Sequence, residues 1–256
     1  MFRYPAIVFI SLFLAAISPF SQTNAAQTAP AVISAAIADL ARPDSDRQQD
    51  ANRKPLEVLE FAGVKPGDRV ADFIPGDGYV TRLFSKIVGQ TGHVFAVVPE
   101  ELFNMKEGAD AAVKSIAADP AYSNVTVLRE SVERFTAPEK LDMVWTSMNY
   151  HDLHDKFFGS ADLVVLNKAI FNALKPGGIY LVLDHAAAAG SGLRDTETLH
   201  RIDPEAVKKE VLAAGFVLDA QSDVLHNPND THTAKIFDPA IRGKTDKFIF
   251  KFRKPN

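Results

Sequence analysis

Two short runs of the sequence carry side chains that can transfer protons. The first run is Asn149-Tyr150-His151-Asp152-Leu153-His154-Asp155, and the second is Asp184-His185. An imidazole titrates near neutral pH, so His151 or His185 can accept a proton from a substrate hydroxyl, with Asp152 beside the first of them. We therefore predict His151, Asp152 and His185 as the catalytic residues. A polar loop whose aspartates cap the next helix is the simpler alternative.

The first run also contains residue types that bind metal ions. Helical conformation would place His151 and His154 on one face, which makes a mixed site with Asp155 a further alternative. The chain has no cysteine and no His-Glu-x-x-His pattern, so a structural zinc site is not expected. The preferred interpretation assigns no residue to a metal.

Each of these runs follows an apolar segment with the composition of a buried strand. The two segments are Leu141–Thr146 and Gly178–Asp184, and the second contains Ile-Tyr-Leu-Val-Leu without polar alternation. Strands covered on both faces have this composition in parallel sheets. Because ligands bind at the carboxyl ends of such strands, both runs are expected at the edge that meets a substrate.

A glycine-containing turn follows an earlier strand. The segment runs from a strand at Val70–Phe73 through Gly76 and Gly78 into a helix at Tyr79–Val88. Glycine lets a backbone approach a ligand closely, and the helix start directs free N–H groups and a positive dipole at the turn. The turn is therefore a second part of the predicted ligand edge.

The whole chain alternates strand and helix patterns. Five strands, two further strands near the end and three main helices are predicted at Val70–Phe73, His93–Val98, Val125–Leu128, Leu141–Thr146, Gly178–Asp184, Phe216–Ala220, Lys247–Phe252, Tyr79–Val88, Leu102–Ala118 and Asp162–Leu174. This order predicts an α/β fold with a doubly wound, Rossmann-like, seven-stranded sheet. The sheet is mostly parallel, and its C-terminal strand is antiparallel. Lysine alternates with apolar residues in that last strand, which predicts a half-exposed strand.

Three features together resemble the class I S-adenosylmethionine-dependent methyltransferases. They are the segment from Asp72 to Thr81, the Leu-Lys-Pro-Gly-Gly turn that ends at Gly178, and the closing hairpin. The resemblance covers Pro55 to Lys254. A nicotinamide-binding Rossmann domain is the alternative, but the third Gly or Ala of its fingerprint is missing here.

The resemblance implies S-adenosyl-L-methionine as the cofactor and a set of residues that bind it. Asp72 would lie near the amino group of the methionine part, and Glu100 would replace the ribose-binding acid that is absent at Val98. The implied cofactor-binding residues are Asp72, Gly76, Asp77, Gly78, Glu100, Glu130, Ser131 and Asn149. The chain departs from the family at Ile74, where a glycine is usual, and at Val98.

The N-terminus has the pattern of a secretory signal peptide. Arg3 precedes an apolar run at Ala6–Ile17, and small residues follow it. We expect residues 1–25 to be a signal peptide, 26–54 an N-terminal helical and linker extension, and 55–256 the methyltransferase-like domain. The expected location is the periplasm, without stable membrane insertion after cleavage.

The expected function is methyl transfer to a small molecule. A net charge of −4 gives no basic surplus for a phosphate backbone, so nucleic acid is not an expected partner. Two alternatives remain open at this point: a catalytically degenerate ligand- or partner-binding protein, and a metal-dependent enzyme centred on His151 and His154. The sequence does not indicate the oligomeric state.

Overall fold

Seven strands form one mixed sheet at the centre of the fold. The computed structural model describes residues 1–2, 29–159 and 161–256. The strands are β1 (Arg69–Phe73), β2 (His93–Pro99), β3 (Val125–Glu130), β4 (Leu141–Ser147), β5 (Leu174–His185), β6 (Val217–Ser222) and β7 (Lys247–Arg253). Their order across the sheet is β3-β2-β1-β4-β5-β7-β6, and only β7 runs antiparallel to both of its neighbours. The predicted fold class is confirmed.

Nine helices are found in the described part of the chain, besides several short 3-10 turns. They are α1 (Ala29–Ile37), α2 (Asp44–Arg47), α3 (Asp50–Arg53), α4 (Pro55–Ala62), α5 (Tyr79–Val88), α6 (Ala111–Ala118), α7 (Leu163–Ala173), α8 (Thr196–Leu199) and α9 (Pro204–Ala213). No helix in this part of the chain combines the length and apolar character needed to cross a bilayer. The predicted signal peptide lies almost entirely outside the described residues.

Two apolar cores hold the helices on opposite faces of the sheet. The first core joins α1, α4, α5 and α6 to residues such as Val70 and Trp145, and the second joins α7 and α9 to residues such as Phe73 and Tyr180. Side chains alternate between the faces of a strand, so neighbouring residues enter different cores. The second core continues past the carboxyl ends of β1, β4 and β5 through Ile74, Tyr150 and Ala186. Buried polar side chains such as Asp72 and Asp184 lie at the same edge.

Two predictions about the elements are wrong. The single helix predicted at Leu102–Ala118 is divided, because Gly108 takes a positive φ of 68° and only Ala111–Ala118 is α-helical. The strand predicted to be half exposed, β7, is largely buried, since it lies between β5 and β6. The exposed strand at the edge of the sheet is β6. The sequence does not show which of the last two strands takes the outer position.

Candidate active site

The turn after β1 keeps a left-handed backbone although one of its residues is isoleucine. Ile74, Gly76 and Gly78 have φ values of 59°, 57° and 77°. A Cβ on Gly76 would meet nothing within 4 Å, whereas one on Gly78 would lie 2.2 Å from Cδ1 of Ile116 in α6. Gly76 therefore leaves open space beside the backbone, and Gly78 is required by helix packing rather than by a ligand.

All five non-glycine residues with positive φ in the described chain lie in segments around this edge. They are Lys54, Ile74, Met148, His200 and His232. A left-handed conformation costs a residue with a Cβ about 1–2 kcal/mol, so it persists only where the surroundings enforce it. Strain of this kind concentrates at functional sites, which supports placing the site here.

The acidic residue at the end of β1 is buried. Asp72 is 3% exposed, and its Oδ2 accepts a hydrogen bond of 2.6 Å from the Thr81 hydroxyl. Burial raises the pKa of Asp72 to about 6, although Thr81 and the charge of Arg53 lower it. A carboxylate that is costly to ionise in this position is stabilised by a cationic group bound next to it.

The N-terminal extension covers the glycine turn through ion pairs. Arg82 in α5 makes a two-pronged pair with Asp46, at 2.7 and 2.8 Å, and Arg42 makes another with Asp50, at 2.9 and 2.7 Å. The Tyr79 hydroxyl donates to Asp50 at 2.6 Å. Bidentate guanidinium pairs fix orientation as well as distance. We call α2 and α3 together, residues 44–53, the cover.

A cavity of about 530 Å³ lies between the cover and the carboxyl ends of β4 and β5. Its apolar wall includes Leu59, Trp145 and Leu183. Asp77, Ser147 and Met148 also line it, as do Ile236, Phe237 and Arg242 from the loop between β6 and β7. A volume of this size and an apolar wall with a few polar groups are typical of small-molecule sites.

Cations without carboxylate partners line this cavity. The guanidinium of Arg53 forms no hydrogen bond or ion pair with the described residues, and it lies 4.4 Å from the centre of the Tyr79 ring. Lys247 is 6% exposed and donates from Nζ only to the carbonyl of Thr245, at 2.9 Å. Burial lowers the pKa of Lys247 to about 8. Nε1 of the buried Trp145 also lacks a partner among the described groups, so the cavity offers several donors to a bound acceptor atom.

His185 is the predicted catalytic residue that lines the cavity. Its Nδ1 lies 2.7 Å from the Thr245 hydroxyl, and its Nε2 has no hydrogen-bond partner in the described chain. Burial, with the charges of Lys247 and His151, lowers the pKa of His185 well below its usual range. The ring is therefore neutral at pH 7, as a proton acceptor must be.

His151 and Asp152 lie behind that wall in a chain of charged groups. His151 Nδ1 is 2.8 Å from Oδ1 of Asp184, and its Nε2 is 3.1 Å from Oδ1 of Asp152. Burial opposes the charged ring, but both carboxylates outweigh it and raise the pKa of His151 to about 10. His151 is thus held as a charged hydrogen-bond donor, which differs from the proton acceptor expected from its usual pKa.

His154 and Asp155 do not join His151 as the sequence suggested. His154 Nε2 is 3.2 Å from Glu210 of α9, on the far side of the short 3-10 turn His151–His154. The second imidazole near His151 belongs to His200, whose Nδ1 is 3.4 Å from Asp152. His200 is nearly fifty positions away in the chain, so spacing alone gave no signal for this pairing.

Two of the residues expected to bind the adenosine part, Glu130 and Ser131, are hydrogen-bonded to other side chains. Ser131 donates from Oγ to Glu101 at 2.9 Å, and the Val132 amide donates to the same carboxylate at 3.2 Å. Glu130 accepts from Thr136, and Glu100 is exposed. The cavity is not lined by any of four residues that were predicted to bind the cofactor: Gly76, Glu100, Glu130 and Ser131.

Asn149 ties β4 to the glycine turn. Its Nδ2 donates to the carbonyl of Ile74 at 2.9 Å. Among the predicted site residues, Asp77 and His185 line the cavity, and His151 and Asp152 lie just behind it. Sequence reasoning missed the cover residue Arg53 and the strand residue Lys247 as lining groups. Nothing in the sequence separates Lys247 from Lys251 of the same strand.

No protein-family model matches the chain. Sequence comparison finds relatives named as methyltransferases, among them the ubiquinone/menaquinone biosynthesis C-methyltransferase UbiE of Ectopseudomonas mendocina. It is 32% identical over 132 residues, which cover 50% of this chain and 45% of that protein. The chain therefore spans about half the length of the curated relatives it matches first.

Solved structures share the fold at low identity. A SAM-dependent methyltransferase from Aquifex aeolicus has a TM-score of 0.56 and 18% identity, over 83% of this chain and 98% of that one. The [4+2]-cyclase SpnF has a TM-score of 0.57 and 19% identity, over 82% of this chain and 81% of that one. These likenesses establish a methyltransferase-type Rossmann-like fold, which is shared by a protein named for a different reaction.

Proposed function

We propose that the protein is an S-adenosylmethionine-dependent methyltransferase that acts on a small molecule. The observation that carries the proposal is the left-handed turn after β1, with Gly76 open to space, next to a cavity that ends at His185. Relatives named as methyltransferases support it. Among these comparisons, none favours the alternative of a degenerate, non-catalytic protein.

The residues near the cavity suit the methionine end of the cofactor. Asp72 would accept a hydrogen bond from its ammonium group, and the backbone at Gly76 and Asp77 would lie along its carboxyl arm. When bound, the cofactor supplies an electrophilic methyl group on a sulfonium. At the adenosine end Glu101 occupies Ser131 and the Val132 amide, so binding there requires this carboxylate to move aside.

His185 is the residue placed to receive a proton from the acceptor. It lines the cavity, and Thr245 holds its Nδ1 so that Nε2 points away from that contact. If Nδ1 donates to the threonine oxygen, Nε2 keeps a free lone pair for an acceptor hydroxyl. The cover and the apolar wall shield this position from bulk solvent, since His185 is 6% exposed.

The acceptor we propose is acidic and largely apolar. Arg53 and Lys247 are cations without carboxylate partners in the described chain, and both line the cavity beside Leu59, Trp145 and Leu183. A carboxylate on the acceptor would pair with these two cations, for which the described chain provides no carboxylate at ion-pair distance. In the presence of S-adenosylhomocysteine, 4-hydroxybenzoate should bind at least about tenfold more tightly than 4-hydroxybenzamide.

Calorimetric titration with S-adenosylhomocysteine tests the cofactor assignment. The wild type should bind it at about micromolar affinity or tighter, and Gly76→Arg should lose at least about a hundredfold because the side chain fills the open space. Gly89→Arg is the matched control: its φ is 65°, its Cβ also meets open space, and it ends α5 at the opposite edge of the sheet. Absence of heat at millimolar ligand would overturn the proposal. Transfer of a labelled methyl group to a metabolite extract, lost in Gly76→Arg, separates an enzyme from a binding protein.

We also propose that the protein is exported to the periplasm. The proposal rests on the sequence pattern of residues 1–25, with Arg3 before an apolar run and small residues after it. Mass spectrometry of the protein from its own host should find a mature N-terminus at Ala26. A chain that retains Met1 and stays in the cytoplasmic fraction contradicts export.

A further inference from the structure

His151, Asp152 and His200 present three potential metal ligands to one point. The donor atoms of the three side chains all lie within 4.8 Å of one another. His151 Nε2 is 3.1 Å and His200 Nδ1 is 3.4 Å from Oδ1 of Asp152. Ligands at about 2.0–2.1 Å from a tetrahedral zinc ion are separated by about 3.3 Å. The spacing therefore suits a small divalent cation without a change of backbone.

The ring of His151 is held as a metal-ligating histidine is usually held. Asp184 is fully buried, and it accepts hydrogen bonds from Nδ1 and the backbone N–H of His151 and from the backbone N–H of His185. A carboxylate behind Nδ1 fixes the ring and leaves Nε2 as the coordinating atom. Nε2 is the atom that faces Asp152.

A second, independent observation comes from Asp155. It is 3% exposed, and its Oδ1 has no hydrogen-bond partner among the described residues. Asp155 directly follows the 3-10 turn His151–His154, which carries two of the three candidate ligands. A buried carboxylate oxygen without a donor is unfavourable unless positive charge is added nearby. A cation held by its three neighbours would supply that charge.

We infer that His151, Asp152 and His200 bind a divalent transition-metal cation through two imidazole nitrogens and one carboxylate. Zn²⁺ is the preferred ion, since nitrogen and oxygen ligands in this number are typical of its open sites. Three protein ligands leave a coordination position free. The ring of His151 lies 5.9 Å from that of His185, and the ring of His200 lies 5.0 Å from that of Phe237. His185 and Phe237 both line the cavity, so the cluster is next to it.

The inference does not depend on methyl transfer, because metal binding is measured without cofactor or acceptor. The mature protein is purified without chelators and analysed for metals. It is then stripped with a chelator and titrated with Zn²⁺ and with Co²⁺. We expect about one equivalent bound at micromolar affinity or tighter, and a visible Co²⁺ spectrum of low coordination number.

The variant His200→Gly tests the ligand set without adding backbone strain. His200 has a φ of 55°, which glycine adopts freely, and its side chain is 26% exposed. His232→Gly is the matched control, because His232 has a φ of 60°, the same 26% side-chain exposure and an aspartate partner in Asp246. We expect Zn²⁺ binding to weaken more than about a hundredfold in His200→Gly and to stay unchanged in His232→Gly.

Two further variants complete the test. Asp184→Asn should weaken binding by about 10- to 100-fold, as loss of an orienting partner does, and His154→Ala should have no effect. Circular dichroism confirms that each variant is folded. The inference is wrong if the wild type binds no Zn²⁺ at about 100 μM. It is also wrong if His200→Gly binds Zn²⁺ as well as the wild type does. In either case the cluster is only a network of hydrogen bonds and ion pairs.

Discussion

The two halves of the ligand edge are built differently. The half above β4 and β5 holds an open cavity, two cations without carboxylate partners at ion-pair distance, and the cluster around His151. The half above β1, β2 and β3 is largely filled by its own side chains, with Ile74 9% exposed and Glu101 bound to Ser131 and Val132, and open space remains there beside Gly76. Unsatisfied groups and space are therefore concentrated in one half, where a ligand gains most by binding.

The two halves differ in how far the sequence predicts them. The closed half contains the recognisable motif, whereas the open half is assembled from residues such as Arg53, His200 and Lys247 that are distant in the chain. A local motif fixes backbone shape, and the chemistry depends on side chains that only the fold brings together. Changes in either half should show which one controls binding.

Loss of the buried ion pair that joins the segment between α8 and α9 to the loop between β6 and β7 should have the largest effect. Arg201 and Asp230 are buried at 0% and 2% side-chain exposure, and Arg201 also donates to the carbonyls of Ala186 and Ala234. Arg201→Met leaves Asp230 buried without its partner, so the free energy of unfolding should fall by about 3–5 kcal/mol. The melting temperature should fall by roughly 6–20 °C.

The control for this change is Arg194→Met. Arg194 pairs with Asp195, but its side chain is 68% exposed, so no resolvable change in stability is expected. Equal melting temperatures for Arg201→Met and Arg194→Met would show that the buried pair does not stabilise the fold. Differential scanning calorimetry makes the comparison.

Removal of the buried cation should stabilise the protein and weaken binding. Folding lowers the pKa of Lys247 from 10.5 to about 8, so the unfolded chain binds more protons between these pH values. Stability should therefore rise with pH from about 8 to 10.5, by roughly 2–3 kcal/mol, and Lys247→Met should gain this amount at pH 7 and lose the pH dependence. Binding of 4-hydroxybenzoate should weaken about ten- to a hundredfold.

Lys251→Met is the matched control for Lys247→Met. It lies on the same strand but bonds to the carbonyl of Phe61 outside the cavity lining. It should keep the rise in stability above pH 8 and the affinity for 4-hydroxybenzoate. Urea unfolding at several pH values and calorimetric titration provide both measurements. Unchanged binding in Lys247→Met would remove the cation from the proposed acceptor site.

Replacing Ile74 with glycine should open the closed half. Ile74→Gly loses buried apolar surface but relieves a left-handed β-branched residue, so the free energy of unfolding should fall by a net of about 1–3 kcal/mol. Affinity for S-adenosylhomocysteine should rise by up to about tenfold if the side chain obstructs that half. Ile74→Val keeps the β-branched side chain and should bind as the wild type does. Equal affinity in all three proteins would show that Ile74 is not an obstruction.

Release of the adenosine-side groups should have the smallest effect. Glu101→Gln weakens the bonds to Ser131 and Val132 by about 1 kcal/mol, so affinity for S-adenosylhomocysteine should rise a few-fold. Glu100→Gln is the control, since Glu100 is exposed and its contact with Arg134 is 3.5 Å long. A loss of affinity in Glu100→Gln would instead support the ribose-binding role predicted from the sequence.

The strands were predictable because burial on both faces leaves a strong local pattern. β1, β2 and β4 were found within a residue or two at each end, and α5 was found with its bounds at Tyr79 and Val88. The burial of β7 was not predictable, since it depends on which strand takes the outer position. Local pattern reports a residue's own environment and not the order of strands in space.

The site was predictable only where it follows a strand. Asp77, His151, Asp152 and His185 come directly after β1, β4 or within the end of β5, and they lie at or just behind the cavity. The pairing of His151 with His154 failed because Glu210 on α9 draws the second ring away. His200 reaches the cluster through a loop that returns to Ala186, a contact that only the tertiary fold defines.

The cover closes the cavity from near the start of the chain, whereas its opposite wall comes from near the end. Lys54, next to the cover, donates to the carbonyl of Val224, and Lys251 donates to that of Phe61, across 170 and 190 positions. Contacts this distant form only after the intervening loops have closed. A chain that is still being synthesised therefore has no complete cavity, and only the fully folded molecule can bind a ligand there.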